Sequence, residues 1–455
     1  MTDRSRRNET GLLACLLALF VCRAILASVV VPPWQGPDEP THFLLAGLLA
    51  DRDVDTANLI VLPEGIFTTI ERDLQRDVLR SMVRHRWWEP YGGSSTSGAI
   101  PTSFRQIGRI GVGTFAQPFY YESGAAVLRA FQPRDVETDY WRLRAFGVVL
   151  SVATLAFGWA GTRILFGTEV AAGATAIAAL HPQFLLTAIS VNPDVLLNVC
   201  GAFMWWQAAR IVKGYRRDLS LTLLLIGLAV ALLTKRSAMP LVIVAAILTM
   251  WMILAPRVWR IILRNMLFAG AAIALVTVAL FAWVAWGGPG SELVTFWRTA
   301  PSIRRALEPT TWRQVFEYAR LSIDYVWLIA GWLRFPAPDA WLWVVRCLTI
   351  AGLGGAAFLL VRSPGRRQSL LVAWLFVIVP AITVIGWGFV TLSSPQGRYL
   401  FPVIMPATAL LWLGLTENTP ERFRRYAAPA LLSILAVMDV TGFSNVLTPA
   451  YLPWG

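Results

Sequence analysis

The chain has 455 residues and a formal net charge of +13, yet only 15% of its residues are charged and 56% are hydrophobic, for a mean hydropathy of +0.57. A soluble domain of this length carries nearer a quarter charged residues, so the composition excludes that class. The basic residues fall in short clusters between apolar runs; this excludes a nucleic-acid partner and fits topology determinants and lipid headgroup contacts.

The first apolar run, residues 11–31, is interrupted only by Arg23. It is long enough to cross a hydrocarbon core of about 30 Å, and longer than the ~7–15 apolar residues of a cleaved signal peptide. It reads as a retained helix. Further runs at 144–162, 170–189, 193–209, 219–234, 239–255, 266–286, 341–361, 370–390, 400–415 and 427–442 bring the expected number of spans to eleven. The fold class is an all-α polytopic bundle, with residues 1–455 as one membrane domain. Arg4, Arg6 and Arg7 precede the first span. Alternate short loops then carry Arg163; Arg210, Lys213, Arg216 and Arg217; Arg257, Arg260 and Arg264; Arg362, Arg366 and Arg367; and Arg422, Arg424 and Arg425. Eleven spans put all of these on one side, which the positive-inside rule makes cytoplasmic. A plasma-membrane protein with a cytoplasmic N-terminus and an outer C-terminus is expected. Cys15, Cys22, Cys200 and Cys347 all fall inside spans and read as packing residues, with no disulfide framework.

Two regions break the alternation, both on the outer side. Residues 32–143 form a long first loop. In it Ile70, Leu74, Val78, Met82 and Val83 recur at helical spacing, with Arg72, Asp73, Arg76, Asp77 and Arg80 on other faces. This predicts an amphipathic helix on the membrane surface, ending near Trp87 and Trp88. A Gly/Ser stretch, 92–98, reads as a flexible connection. Residues 119–131 are apolar but short and carry Glu122 and Arg129, so they read as an interfacial helix. The second loop, 287–340, mixes Trp297, Trp312, Trp327 and Trp332 with Arg298, Arg304, Arg305, Arg313 and Arg320. A transporter has little need of such loops; an enzyme acting on a membrane-embedded substrate needs walls for its cleft.

The stretch Pro32-Pro-Trp-Gln-Gly-Pro-Asp-Glu-Pro-Thr-His-Phe43 sets Asp38 and Glu39 just past the first span. A helix starting near Asp38 would place His42 on the same face one turn later. Asp38 then reads equally as an N-cap or as a catalyst: an acid at a helix start complements the dipole, while adjacent carboxylates in a partly desolvated cleft can hold a proton acceptor near neutral pH. Lys235 and Arg236 interrupt a span end on the outer side, against the charge rule, and one of only two lysines in the chain stands there. Cations at membrane depth are costly and mark sites. Arg398, beside Tyr399, is a second candidate cation. Arg142 and Arg144 read as headgroup contacts. Asn192 and Asp194 open the fourth span, as a helix start or a binding group. His42, His85 and His181 are too scattered to form a metal site.

Gln35-Gly-Pro-Asp-Glu-Pro-Thr-His-Phe43, with its Pro-Asp-Glu-Pro-x-His core, resembles the opening signature of a family of bacterial membrane proteins placed among GT-C-type glycosyltransferases. That family is distantly similar to protein O-mannosyltransferases and the aminoarabinose transferase of lipid A. In order along the chain, Gln117-Pro-Phe-Tyr-Tyr121 is similar to the family's Pro-Pro-Leu-Tyr-Tyr element. His181-Pro-Gln-Phe184 through Val191-Asn-Pro-Asp194 is similar to its third-span ending. Gly331-Trp-Leu-Arg-Phe-Pro336 resembles an outer loop and Gln396-Gly-Arg-Tyr-Leu-Phe-Pro402 a Gly-Arg-Tyr-Leu-Pro element. The chain departs from the pattern at Phe119 and Arg334.

The resemblance implies an inverting glycosyltransferase that takes a sugar from a polyprenyl phosphate or diphosphate and passes it to a hydroxyl of a glycan, lipid or protein. Carried over, Asp38 is the general base and Glu39 assists or orients it. Lys235, Arg236 and Arg398 receive the leaving phosphate. His42, Tyr399, Asn192, Asp194, Tyr120 and Tyr121 complete the binding residues. The resemblance leaves a divalent cation open, since some relatives need one. No nucleotide-binding fingerprint or nucleophile elbow is present. A flippase of lipid-linked glycans would favour repeats and intramembrane acids, which are scarce here. An O-antigen ligase or polymerase-like enzyme would carry its large loop late in the chain.

Overall fold

The computed structural model describes residues 3–51, 69–87, 119–131, 134–254, 309–331, 334–391 and 396–452. Among these the structure is almost entirely helical, and eight helices are long and apolar enough to cross a membrane. The protein is an all-α, multi-pass membrane bundle.

Helix α1, Asp3–Val30, is the first span. Three helices of the first loop follow: α2, Glu39–Asp51; α3, Thr69–Arg84; and α4, Phe119–Arg129. Helix α5, Val136–Phe166, is a 31-residue span capped by the Asp135 side chain, which accepts from Thr138 N–H at 3.0 Å. The expected third span is broken. Helix α6, Thr168–Leu180, and α7, Pro182–Ala188, meet at 68°. Pro182 supplies no N–H to continue α6 and suits the first position of a new helix, where His181 Nδ1 accepts from Phe184 N–H at 3.3 Å. Counting this pair as one span makes nine.

Spans α8, Asp194–Val212, and α9, Arg217–Thr234, come next, then a 3₁₀ turn at Arg236–Ala238. Helix α10, Met239–Leu254, is apolar but shorter than the other spans. The expected span at 266–286 and the Gly/Ser stretch at 92–98 lie outside the described residues. Amphipathic helix α11, Pro309–Trp327, leads into the antiparallel pair β1, Ile329–Ala330, and β2, Phe335–Pro336, with Ala330 opposite Phe335. Spans α12, Asp339–Arg362, and α13, Arg367–Thr391, follow. A 3₁₀ segment, Gly397–Val403, precedes α14, Ile404–Glu417. Helix α15, Glu421–Gly442, and the short α16, Thr448–Tyr451, close the chain.

Small residues and buried polar ties hold the spans together, since lipid gives no hydrophobic drive for helices to associate. Gly352 and Gly355 of α12 meet α14 closely: a methyl group on Gly355 or on Gly414 would strike backbone of the facing helix, and one on Gly352 would crowd Leu411. Trp205 Nε1 of α8 donates to Thr162 Oγ1 of α5 at 3.1 Å. Arg23, the one charge inside the first run, donates from Nε to Asp439 Oδ2 of α15 at 2.8 Å and also bonds Ala179 O at the end of α6. The arginine is thereby paired inside protein.

The first loop is anchored to the bundle. The expected amphipathic helix is α3, pinned at one point: Trp34 Nε1 donates to Ser81 Oγ at 2.9 Å, Ser81 donates to Glu137 at 2.7 Å, and His85 Nε2 lies 2.8 Å from the same carboxylate. At 11 residues α4 would rise only about 17 Å, too short to cross. It packs on α2 instead, with Tyr120, Tyr121, Gly124, Ala125 and Leu128 buried. Tyr120, Tyr121, Ala125 and Leu128 join Trp34, Phe43, Tyr140, Leu143 and Val191 in a second apolar cluster. Arg144 departs from the headgroup role expected of it. It is 2% exposed and bonds the carbonyls of Val31 (3.0 Å) and Ile189, closing the C-terminal ends of α1 and α7.

Candidate functional site

One end of the bundle gathers the boundaries of several elements: the loop after α1, the start of α5, the turn from α7 into α8, the turn after α9, and the 3₁₀ segment before α14. The motif loop there is wound tightly. Trp34 (φ +72°) and Asp38 (φ +61°) both occupy the left-handed region, sparsely populated by side chains other than glycine, asparagine and aspartate. Such a conformation persists when its surroundings over-determine it, and here they do. Trp34 N–H donates to Tyr140 Oη (3.3 Å), and Tyr140 donates to Glu39 Oε1 (2.9 Å). Glu39 Oε1 also accepts Val191 N–H (2.8 Å), and Oε2 accepts Gly36 N–H (3.0 Å). A methyl group at Gly36 would lie 2.7 Å from Ser190 Oγ, so only glycine permits this approach.

The two motif acids therefore part company. Glu39 is fully buried and tied by three donors from three elements. The two carboxylates, adjacent in sequence, thus have different surroundings: that of Glu39 is enclosed and fully engaged, that of Asp38 is open. Asp38 has a side chain 54% exposed, with Oδ2 3.7 Å from Arg398 Nη2. Its backbone carbonyl accepts His42 N–H at 3.1 Å as α2 begins.

From Arg398 the charges run on. Its Nε lies 3.5 Å from Asp194 Oδ2, and Asp194 Oδ1 accepts from Lys235 Nζ at 2.6 Å. Asp194 is the first residue of α8, where the helix dipole favours an anion. Both cations sit over the Tyr399 ring, Lys235 Nζ at 4.8 Å and the Arg398 guanidinium at 5.7 Å from its centroid. Arg398 Nε is also held by Gln396 Oε1 at 2.9 Å. Asp38, Arg398, Asp194 and Lys235 form one alternating chain of charge drawn from four parts of the sequence.

His42 faces this chain. Burial, and after it the charges of Lys235 and Arg398, push its pKa down to about 3, so the imidazole is neutral at pH 7. Its Nδ1 is 2.8 Å from Tyr121 Oη. Burial also raises the Tyr121 phenol, which stays protonated.

The other expected residues stand outside this group. Arg236 is exposed on the turn after Lys235. Tyr120 is fully buried beside Phe146 and Tyr121, a core residue and not a cleft residue, because the buried side of α4 carries it. Asn192 is engaged by its own turn: its amide donates to Thr187 O and Ser190 O, each at 3.0 Å, and its oxygen accepts Asp194 N–H at 2.9 Å. His181 stacks on Trp327 with centroids 4.7 Å apart, a packing residue.

Beside the charges lies a cleft with about 550 Å³ of empty space, its open mouth included. The motif loop at Gln35–Pro37 forms one wall, Gln183 to Asn192 another, and Tyr325, Ile329–Gly331 and Tyr451 a third, with Gln396–Arg398 at the junction with the charged chain. Gln183 and Gln396 went unremarked as site residues, although each stands inside a stretch that carries the resemblance. Among the described residues no three His, Cys, Asp or Glu side chains come together to hold a metal ion.

Residues 136–286, a third of the chain, match the family of dolichyl-phosphate-mannose-protein mannosyltransferases. The match supports placing the chain among the GT-C membrane glycosyltransferases. It takes in Asp194 and Lys235 and stops short of the Asp38 motif. Among solved structures the chain is similar to the oligosaccharyltransferase of Archaeoglobus fulgidus in its apo form, with 13% identity over 98% of this chain and 55% of that one and a TM-score of 0.47. It is likewise similar to the oligosaccharyltransferase AglB of the same organism in complex with an inhibitory peptide and a dolichol-phosphate, with 12% identity over 99% and 56% and a TM-score of 0.48. The chain spans about half the length of these structures. No curated protein sequence matches it.

Proposed function

We propose that the protein is an inverting membrane glycosyltransferase, taking a sugar from a polyprenyl phosphate or diphosphate and delivering it to an acceptor hydroxyl on the extracytoplasmic face. The observation that carries this reading is the contact of Asp38, an accessible carboxylate, with a cation pair that Asp194 fixes in place. Asp38 takes the proton of the acceptor hydroxyl. The oxygen attacks the anomeric carbon as the bond to the lipid phosphate breaks, and the phosphate leaves with its electron pair. Arg398 and Lys235 stabilise the negative charge that grows there, arginine with its planar fork and lysine as a point charge. Their own charge is shared with Asp194, Asp38 and the Tyr399 ring, so they are oriented before substrate arrives.

Neutral His42 and protonated Tyr121 supply hydrogen bonds without adding charge. We place the protein in the plasma membrane with its site facing outward; the basic clusters at the opposite helix ends, where Arg163 pairs with Glu9 and Arg366 with Glu417, support that orientation. The test is incubation of the purified protein with a panel of polyprenyl-phosphate and polyprenyl-diphosphate sugars, scoring release of the free lipid phosphate. Release with at least one donor, lost in Asp38→Asn, is expected; no release from any donor, or full activity of the variant, rejects the proposal.

A further inference from the structure

The cleft beside Asp38 has a lining whose chemistry is specific. None of its described lining residues is an aspartate or glutamate, and its single charge, Arg398, is already balanced by Asp194 and Asp38. Its polar groups are neutral. Gln183 is 8% exposed and its Oε1 accepts Ile329 N–H at 2.7 Å, while among the described residues nothing accepts from its side-chain NH2. Gln396 is held the same way: Oε1 accepts from Arg398, and the NH2 remains. Tyr325 adds a phenol on the facing wall, and the Tyr451 hydroxyl lies against Gly331.

Amides fixed through their oxygens present donors whose direction is set in advance, at little ordering cost when a ligand arrives. Such a surface suits a ring rich in uncharged hydroxyls. It disfavours an ammonium group, which would leave water without a carboxylate to meet it.

We infer that this cleft holds an uncharged sugar ring, and that Gln183 and Gln396 are the residues that select it against a cationic amino sugar. This rests on the transferase reading above, because the cleft adjoins the proposed base through Pro37 and the proposed phosphate site through Arg398. The ring belongs either to the lipid-linked donor or to a saccharide acceptor; the chemistry of recognition is the same.

The experiment reads binding to the full-length protein in detergent or nanodiscs, so it does not require turnover. Affinities are measured for polyprenyl-phosphate hexose, polyprenyl-phosphate amino-hexose and bare polyprenyl phosphate, and for alkyl hexoside against alkyl amino-hexoside. The wild type, Gln183→Glu and Gln396→Glu are compared. Both variants keep an oxygen for the hydrogen bond the glutamine oxygen now makes, and a ratio of two affinities is insensitive to the folded fraction. The wild type is expected to prefer the neutral sugar at least tenfold in one series. At least one variant is expected to reduce that ratio tenfold. A shift among lipid-linked compounds assigns the cleft to the donor sugar, and one among alkyl glycosides to the acceptor. Ratios near one in the wild type, or ratios unmoved in both variants, overturn the inference. Discrimination in binding without release of lipid phosphate would sink the transferase reading and leave the sugar cleft standing; release without discrimination would do the reverse.

Discussion

Asp194 Oδ1 lies 2.6 Å from Lys235 Nζ, joining the first residue of α8 to the residue that ends α9. The aspartate side chain is 2% exposed and also faces Arg398 at 3.5 Å, so one anion holds two cations. Asp194→Asn leaves both partly buried with less compensation, and breaking such a pair costs about 3–5 kcal/mol. A clear drop in thermal midpoint in detergent is expected. A double-mutant cycle of Asp194→Asn with Lys235→Met should give a coupling of about 0.5–3 kcal/mol; strict additivity would show that the pair is not formed in solution.

Asp38→Asn should separate chemistry from folding. The side chain is half exposed and its one charged contact among the described residues is at 3.7 Å, so thermal stability should change little. Loss of the general base should lower the rate of lipid-phosphate release by about 10²–10⁴-fold. Single-turnover assays with saturating donor distinguish this from weaker binding.

Glu39 should behave in the opposite way. Glu39→Ala leaves the N–H groups of Gly36 and Val191 and the Tyr140 hydroxyl without their acceptor in a buried place, each worth about 1–3 kcal/mol. Unfolding at lower temperature, or failure to accumulate in membranes, is the expected result. Stability equal to wild type would show that the loop is held by other means.

Gly397→Ala puts a methyl group into the backbone of Tyr325 and Val326, which cannot yield as a flexible side chain would. The 3₁₀ segment must then shift and carry Arg398 with it. Activity should fall at least tenfold while Gly365→Ala, at a position with open space around it, leaves both activity and stability unchanged.

The His42 pKa of about 3 in the folded protein lies below its ordinary 6.5. Between those values the unfolded chain binds a proton that the folded one does not. Stability therefore rises with pH across that window and is flat, as far as His42 is concerned, above it. Histidine-selective ¹⁵N NMR should show a neutral His42 ring down to pH 5; a ring that protonates near 6.5 would show that it is solvated in the folded protein.

Much of the fold was legible because bilayer physics leaves few choices. A run of about twenty apolar residues has to be a helix, and alternating basic loops order the helices into two sides. The same patterns marked α3 and α4 as helices that do not cross. Local chemistry also singled out Asp38, His42, Asp194, Lys235 and Arg398, since charge at a span boundary is expensive enough to need a reason. The break between α6 and α7 could have been read from His181-Pro182, but hydropathy averages across it.

What the residues alone could not settle was the direction of each side chain. Asp38 and Glu39 are neighbours of the same chemical kind, and their separation into an accessible acid and a buried tie was decided by Tyr140 and Val191, more than a hundred positions away. Arg144 became a cap for helix ends for the same reason, and Asn192 was claimed by its own turn. Hydropathy and charge act through a residue's identity and its neighbours in sequence, so they fixed which segments cross and where ions gather. Hydrogen bonds act through distance and angle between remote segments, and only the packed bundle could assign them.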